Sequence, residues 1–332
     1  MSEALLKDKF ARTIRDLRIS VTDKCNFRCF YCIPDEDITW KRRQELLTYE
    51  EILTVAEIAV GMGVDKLRLT GGEPLIRRDI EFLIERLARL DGVRDLAMTT
   101  NADGLASRAK SLRDAGLQRL TISCDSLKPE VFKRITRRDA LQSVLDGIEA
   151  AMAVGFPPPK INCVVIRGLN EDEAADFADF ARATGISMRF IEYMPLDNGH
   201  QWDRSLLVGG REVLERIEER HKLIPMHRDN PSDTALKYTF ADGAAGEIGI
   251  IAPVTMPFCG ACSRLRLTAD GNLRTCLFSM VDYNIRDRIR RGDNREELTQ
   301  FLIETVLKKE AGHRINEADF VQPPRAMVFI GG

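Results

Sequence analysis

Apolar and polar residues alternate through Leu17-Arg18-Ile19-Ser20-Val21, the period of two expected of a strand with one buried face. Lys66-Leu67-Arg68-Leu69-Thr70 repeats the pattern, and further strands are expected over 95–99, 120–123, 160–165 and 188–192. Between them the period becomes helical. Thr48, followed three residues later by Glu51, forms a capping box, which predicts a helix to about residue 60. Other helices are expected over 79–90, 105–115, 140–153 and 171–184. Six strand–helix units in succession imply parallel strands joined by right-handed crossovers. Six fall short of the eight of a closed (β/α)8 barrel. The expected fold class is therefore α/β, a partial six-unit (β/α) barrel open on one side.

A helix over 211–220 follows, and after about residue 225 the pattern shortens. Strands are expected over 235–240 and 247–252. Arg264-Leu265-Arg266-Leu267-Thr268 and Leu273-Arg274-Thr275-Cys276-Leu277 flank Ala269-Asp270-Gly271-Asn272, which reads as a β-hairpin. A helix over 295–309 precedes the final Gly331-Gly332. The expected organisation is a polar, mobile N-terminal arm over 1–12, the partial barrel over 13–224, and a smaller β-rich domain over 225–332 ending in the Gly-Gly tail.

Strand parity carries chemistry. Leu17, Ile19 and Val21 share one face, Arg18 and Ser20 the other; Leu67 and Leu69 oppose Lys66, Arg68 and Thr70. Leu120 and Ile122 oppose Thr121 and Ser123, and Ile161, Cys163 and Val165 oppose Lys160 and Asn162. The apolar face should meet the helices, which leaves the polar face for the lumen. A barrel lumen is ordinarily filled by branched apolar side chains, whereas this one is expected to be cationic. Buried unpaired cations are costly, so an anionic ligand is implied; each charge-assisted hydrogen bond to it contributes roughly 1.5–3 kcal/mol.

The composition, 44% hydrophobic and 30% charged over 332 residues, is that of a globular protein. A formal charge of −2 gives nucleic-acid binding no global support. No apolar run reaches the ~18 residues of a membrane span, and the opening MSEALLKDKF lacks an apolar signal segment. Eight cysteines fall into two tight groups and two singles. That distribution favours metal binding over disulfides and a cytoplasmic location.

The first group, Cys25-x3-Cys29-x2-Cys32, lacks the period of a packed element. Thiolates bind zinc or iron–sulfur clusters. Three cysteines on a four-iron cluster leave one iron open; a zinc site would need a fourth ligand that the run does not supply. The second group, Cys259-x2-Cys262-x13-Cys276, is brought together by the hairpin. A second cluster is the economical reading, with a zinc ribbon lacking its fourth cysteine as the alternative. Cys124 and Cys163 fit as small core residues. His200, His221, His227 and His313 form no spaced constellation and are expected at the surface or as caps.

The first group, with Tyr31 before its last cysteine, resembles the signature of the radical S-adenosylmethionine (SAM) superfamily, and Gly71-Gly72-Glu73-Pro74 resembles the segment that meets the SAM amino group. Together with the second cysteine group, Glu192-Tyr193-Met194-Pro195, Arg264-Leu265-Arg266 and the Gly-Gly end, the chain from Arg18 to Gly332 resembles the GTP 3′,8-cyclase family of molybdenum cofactor biosynthesis. The resemblance implies two [4Fe-4S] clusters, one on Cys25, Cys29 and Cys32 that chelates SAM, the other on Cys259, Cys262 and Cys276 with its open iron on guanine. It implies SAM contacts from Tyr31, Gly72, Ser123 and Met194. GTP would be bound by Arg18, Arg68, Thr99, Lys160, Arg264, Leu265 and Arg266. Arg264, Arg266, Gly331 and Gly332 would serve the reaction, in which the 5′-deoxyadenosyl radical takes the ribose 3′ hydrogen and the ribose carbon then joins C8 of guanine. The implied partners are a flavodoxin- or ferredoxin-like reductant and a downstream cyclic pyranopterin monophosphate synthase, with a homodimer as one option for assembly.

Two positions fit the family less closely. Ala102 stands where relatives usually carry Gly, which puts the local turn in question. Lys160 begins its strand, whereas barrel chemistry sits at C-terminal strand ends; a GTP lying deeper than SAM would reach it. The alternatives are another radical SAM enzyme with an auxiliary cluster, such as a peptide-modifying one, and a non-catalytic iron–sulfur or zinc protein.

Overall fold

Strands β1 (Asp16–Ser20), β2 (Lys66–Thr70), β3 (Asp95–Thr100), β4 (Arg119–Ser123), β5 (Lys160–Val165) and β6 (Ser187–Glu192) lie side by side in chain order, all parallel. The structure is a computed structural model and describes residues 5–33, 38–197 and 202–331. The helices are α1 (Tyr49–Gly61), α2 (Ile80–Ala88), α3 (Ala109–Asp114), α4 (Pro129–Thr136), α5 (Leu141–Ala153) and α6 (Ala174–Thr184), followed by α7 (Gly210–Glu218), α8 (Arg286–Arg290) and α9 (Arg295–Leu307). Thr48 accepts from the Glu51 N–H and Glu51 returns the bond, so α1 begins where the capping box placed it. Leu17, Ile19, Leu67, Leu69, Ile161 and Cys163 turn outward into one hydrophobic core with the helices. This is the partial (β/α) barrel expected of the pattern.

The remaining strands are β7 (Leu223–Pro225), β8 (Leu236–Phe240), β9 (Glu247–Ile251), β10 (Arg264–Leu267), β11 (Asn272–Arg274) and β12 (Tyr283–Asn284). They extend the same sheet at both edges, in the order β12-β11-β10-β1 at one side and β6-β9-β8-β7 at the other. β10 and β9 both run parallel to their barrel neighbours, so the C-terminal segment continues the barrel wall. The β10–β11 pair is antiparallel, as the hairpin requires. β10 stands in register with β1, Asp16 beside Arg264 and Arg18 beside Arg266.

Local features differ from the pattern reading, the short β7, β12 and α8 among them. The segment expected as a helix from 105 begins its helix only at Ala109. α4 was not expected. Its Pro129 occupies the first turn, where the missing N–H costs nothing, and Phe132, Ile135 and Thr136 bury one stripe. The N-terminal arm, expected to be mobile, is packed over its described residues: Leu6, Asp8 and Arg12 are buried and β-bridged chain runs between Lys7 and Thr13. An ion pair between Asp8 and Arg12 (2.5 Å) makes that burial tolerable.

Candidate active site

The first cysteine loop leaves the end of β1 and is held from two directions. The C-terminal turn of α4 has carbonyls without intrahelical partners; those of Ile135 and Thr136 accept the N–H groups of Phe30 (3.2 Å) and Arg28 (2.9 Å). From the other side, the Gly72 N–H donates to the Thr22 carbonyl and the Glu73 N–H to the Lys24 carbonyl, each at 2.7 Å. Glu73 is buried, and its carboxylate accepts from the Thr100 hydroxyl and from the Asn101 and Leu75 N–H groups. Burial raises its pKa to about 7 despite these bonds. A Cβ at Gly72 would lie 2.0 Å from the Lys24 carbonyl oxygen, which explains the glycine. Gly72→Ala must therefore force the two segments apart. SAM binding, measured by equilibrium dialysis on the reconstituted protein, should weaken by about tenfold or more; unchanged affinity would mean the contact does not shape the site.

The second group rises beside the first because β10 lies against β1. Cys259 sits in a short turn ahead of β10, and Cys276 follows β11. Arg12 fixes this turn. Its guanidinium donates to the carbonyls of Cys259 (2.8 Å), Ala311 (2.8 Å) and Glu310 (2.5 Å). Lys309 donates to the carbonyls of Arg264 (2.9 Å) and Thr275. Burial opposes ionisation of Cys262, but Arg264 and Lys309 outweigh it and hold the thiol at about 6. In the first group burial, joined by Glu73, raises Cys25 to about 11, and burial raises Cys29 and Cys32 as well. Metal binding there must displace protons.

All six of these cysteines line one cavity of about 310 Å³. Among the described residues, no three His, Cys, Asp or Glu side chains converge as a single ion requires. Three half-buried thiols to a group, spread around a shared cavity, fit a polynuclear cluster better than tetrahedral zinc. Tyr31, Gly72, Ser123 and Met194, the expected SAM contacts, line the same cavity, as do Arg18, Thr99, Arg264 and Arg266. The Tyr31 hydroxyl donates to buried Asp125 at 2.5 Å.

A second cavity, about 330 Å³, opens toward the N-terminal ends of the strands and shares Arg18, Thr99, Asn162 and Arg264 with the first. Lys66, Arg68, Arg119, Lys160 and Arg189 line it, against Asp16, Asp95 and Asp233. Asp95 is taken by Arg119. Arg68 donates to the hydroxyls of Thr99 (3.3 Å) and Thr121 (2.9 Å). The buried Nε atoms of Arg18 and Arg189 have no hydrogen-bond partner among the described residues. Burial, reinforced by Arg189, Arg119, Arg68 and Lys237, lowers Lys160 to about 7. Cations outnumber carboxylates in this lining.

Of the expected substrate residues, Leu265 alone is turned away: its side chain is in the core behind the sheet, because it alternates with Arg264 and Arg266. The chain end reaches Arg266, whose guanidinium donates to the Gly331 carbonyl. Val328 and Ala326 pack on Ile33 beside the first cysteine loop, and Arg325 pairs with Asp270 (2.9 Å). Gly331 has φ +77°, and a Cβ there would meet the Thr70 hydroxyl at 2.6 Å, so only glycine fits. Gly332 and His200 lie outside the described residues. Ala102 adopts φ 61°, a conformation that favours glycine, so the turn keeps the shape a glycine would give. Cys124 and Cys163 are core residues. Sequence reading missed Arg189, although it alternates with Met188 and Phe190. It also missed Arg12 and took His313, which lines the first cavity, for a surface or capping residue.

Residues 19–181 match the family model of the radical SAM superfamily, and residues 186–315 match Molybdenum Cofactor Synthesis C. The chain is 46% identical to the GTP 3′,8-cyclase of Rhodopirellula baltica over 98% of its length and 92% of that protein's. It is 41% identical to the GTP 3′,8-cyclase of Streptomyces coelicolor, covering 99% and 96%. Among solved structures it resembles Streptococcus suis SuiB bound to precursor peptide SuiA, with a TM-score of 0.61 at 15% identity, over 90% of this chain and 68% of that one; at this identity the likeness is one of fold.

Proposed function

The chain belongs to the GTP 3′,8-cyclase family of molybdenum cofactor biosynthesis, and from that premise we propose how its own residues divide the work. It is a radical SAM enzyme that cyclises GTP to (8S)-3′,8-cyclo-7,8-dihydroguanosine 5′-triphosphate, with two [4Fe-4S] clusters and SAM as cofactors. When bound, the reduced first cluster and SAM supply a 5′-deoxyadenosyl radical able to take the ribose 3′ hydrogen of GTP. Cys25, Cys29 and Cys32 hold that cluster; Cys259, Cys262 and Cys276 hold the other. Tyr31, Gly72, Ser123 and Met194 contact SAM. Residues 13–224 act as the SAM-binding barrel and 225–332 as the auxiliary-cluster domain.

The observation that carries this division is the pair of adjoining cavities that share lining residues, one lined by both cysteine groups and the other by cations short of partners. GTP spans them. Its triphosphate lies among Arg18, Arg68, Lys160 and Arg189, deeper than SAM, while Thr99, Arg264 and Arg266 hold the nucleoside toward the cysteines. Leu265 contributes through its backbone alone. Arg266 and the Gly331-Gly332 end close over the ribose and keep water from the reacting carbon. An external flavodoxin- or ferredoxin-like protein supplies the electron, the product passes to a cyclic pyranopterin monophosphate synthase, and the enzyme works in the cytoplasm, alone or as a homodimer. Among the described residues no helix is long and apolar enough to cross a membrane.

The triphosphate site has a pH signature. Lys160 sits at about 7 in the free protein, and a bound triphosphate favours its charged form, which raises that value. GTP affinity is therefore fully supported below pH 7 and declines as pH rises through and above it, by up to about tenfold per unit. Lys160→Met should bind GTP more weakly at pH 7 and lose this decline. Parallel pH profiles of GTP affinity for the two proteins would remove Lys160 from the phosphate site.

A further inference from the structure

Arg325 is held by two carboxylates. Its guanidinium forks onto both oxygens of Asp270 (3.0 and 2.9 Å), and its Nε meets Asp282 at 2.6 Å. Asp270 lies in the turn between β10 and β11, where the Thr268 hydroxyl donates to it. Asp282 also pairs with Arg274 of β11, whose side chain is buried. Arg274 in turn stands opposite Arg266 across the hairpin. A bidentate guanidinium–carboxylate pair fixes direction as well as distance.

From this anchor the chain runs past the first cavity and returns to the same hairpin. Ala326 and Val328 pack on Ile33, in a cluster that Cys25 and Cys32 adjoin. Met327 lines the cavity and packs against a cluster of Leu196, Val254, Phe278 and Ile315 that Cys276 and Met194 also adjoin. Its N–H donates to the Leu196 carbonyl (3.1 Å). The Phe329 ring lies 6.2 Å from that of Trp40, and the Gly331 carbonyl accepts from Arg266. The strap of residues 326–331 thus adjoins cysteines of both groups and is tied at its two ends to one hairpin. A short terminal segment frays unless it is tied down, so the path of the strap depends on those ties.

We infer that Arg325 is a positioning residue for the cyclisation: its pairs with Asp270 and Asp282 set the path of the strap, so that Gly331 meets Arg266 and the strap closes the cavity between the two cysteine groups. Arg325 lines neither cavity, so it acts through the strap. The inference rests on the cyclase reading above.

The test is hydrogen–deuterium exchange of the anaerobic holoenzyme, read by mass spectrometry, with 5′-deoxyadenosine and cyclised nucleotide counted in parallel. Arg325→Met keeps most of the side chain's length and removes the fork. In this variant the amides of 326–331 should exchange about tenfold faster or more, while those of 264–275 and the iron content stay as in the wild type. The 5′-deoxyadenosine formed per cyclised nucleotide should rise by about tenfold or more, as expected when a group that orders the site is misplaced. Arg325→Lys, a point charge that cannot fork, should fall between. Unchanged exchange of the strap in Arg325→Met would overturn the inference, as would an unchanged product ratio. Equal loosening of the hairpin, or loss of iron, would mark support of the fold and also overturn it. A wild-type enzyme that forms no cyclised nucleotide would sink the cyclase reading; the exchange rates would then still decide whether Arg325 holds the strap.

Discussion

Cys29→Ser should abolish SAM cleavage, lowering 5′-deoxyadenosine formation by at least about 10³-fold, equivalent to about 4 kcal/mol. A thiolate is the ligand that a cluster iron requires, and a serine hydroxyl is a harder, far less acidic substitute. The backbone of the loop does not depend on the sulfur: the Cys29 carbonyl accepts from the Cys32 N–H (2.9 Å) and the Ile33 N–H (2.8 Å), and the loop remains hung on α4 and on Gly72 and Glu73. The second cysteine group stands on separate supports, Arg12 and Lys309. Roughly half of the iron should therefore remain. SAM cleavage at the wild-type rate in the variant would show that this group does not hold the reactive cluster.

Arg266→Ala should lower GTP cyclisation by about 10²–10³-fold, in line with the cost of truncating a buried, hydrogen-bonded cation. The side chain is buried, stands in register with Arg18 and Arg274, and donates to the Gly331 carbonyl. Its loss would leave that carbonyl without its cation and the chain end without its anchor. SAM cleavage should persist in part and become uncoupled from cyclisation, so that 5′-deoxyadenosine accumulates in excess of cyclised product. Arg266→Lys keeps the charge without the planar fork and should fall between the two. Cyclisation kinetics equal to wild type in Arg266→Ala would remove the residue from the site.

The barrel and most of its lining were legible because each strand carries its own instruction. Alternation of Arg18 with Leu17 and Ile19 decides which side chains face the lumen, and parallel in-register pairing repeats that decision from strand to strand. The cysteine groups were legible because their spacing is local. What escaped depends on long-range pairing. Nothing near Arg264 indicates that β10 lies parallel to β1, and nothing near Arg12 indicates that it will hold Cys259. α4 did carry a signal, Pro129 followed by Phe132, Ile135 and Thr136, but at eight residues its period is short. Arg189 obeys the same parity as Arg18 and could have been found by carrying the alternation into the sixth strand. His313 has no neighbouring motif, and its place in the wall of the first cavity depends on the fold.

The most direct measurement follows the hydrogen. The reconstituted, reduced enzyme is supplied with SAM and with GTP deuterated at the ribose 3′ position, and the 5′-deoxyadenosine formed is analysed for deuterium. Deuterium in 5′-deoxyadenosine, accompanied by the cyclised nucleotide, is the result expected. SAM cleavage that proceeds without deuterium transfer, and equally well without GTP, would contradict the assignment of GTP to the cavity between the two cysteine groups.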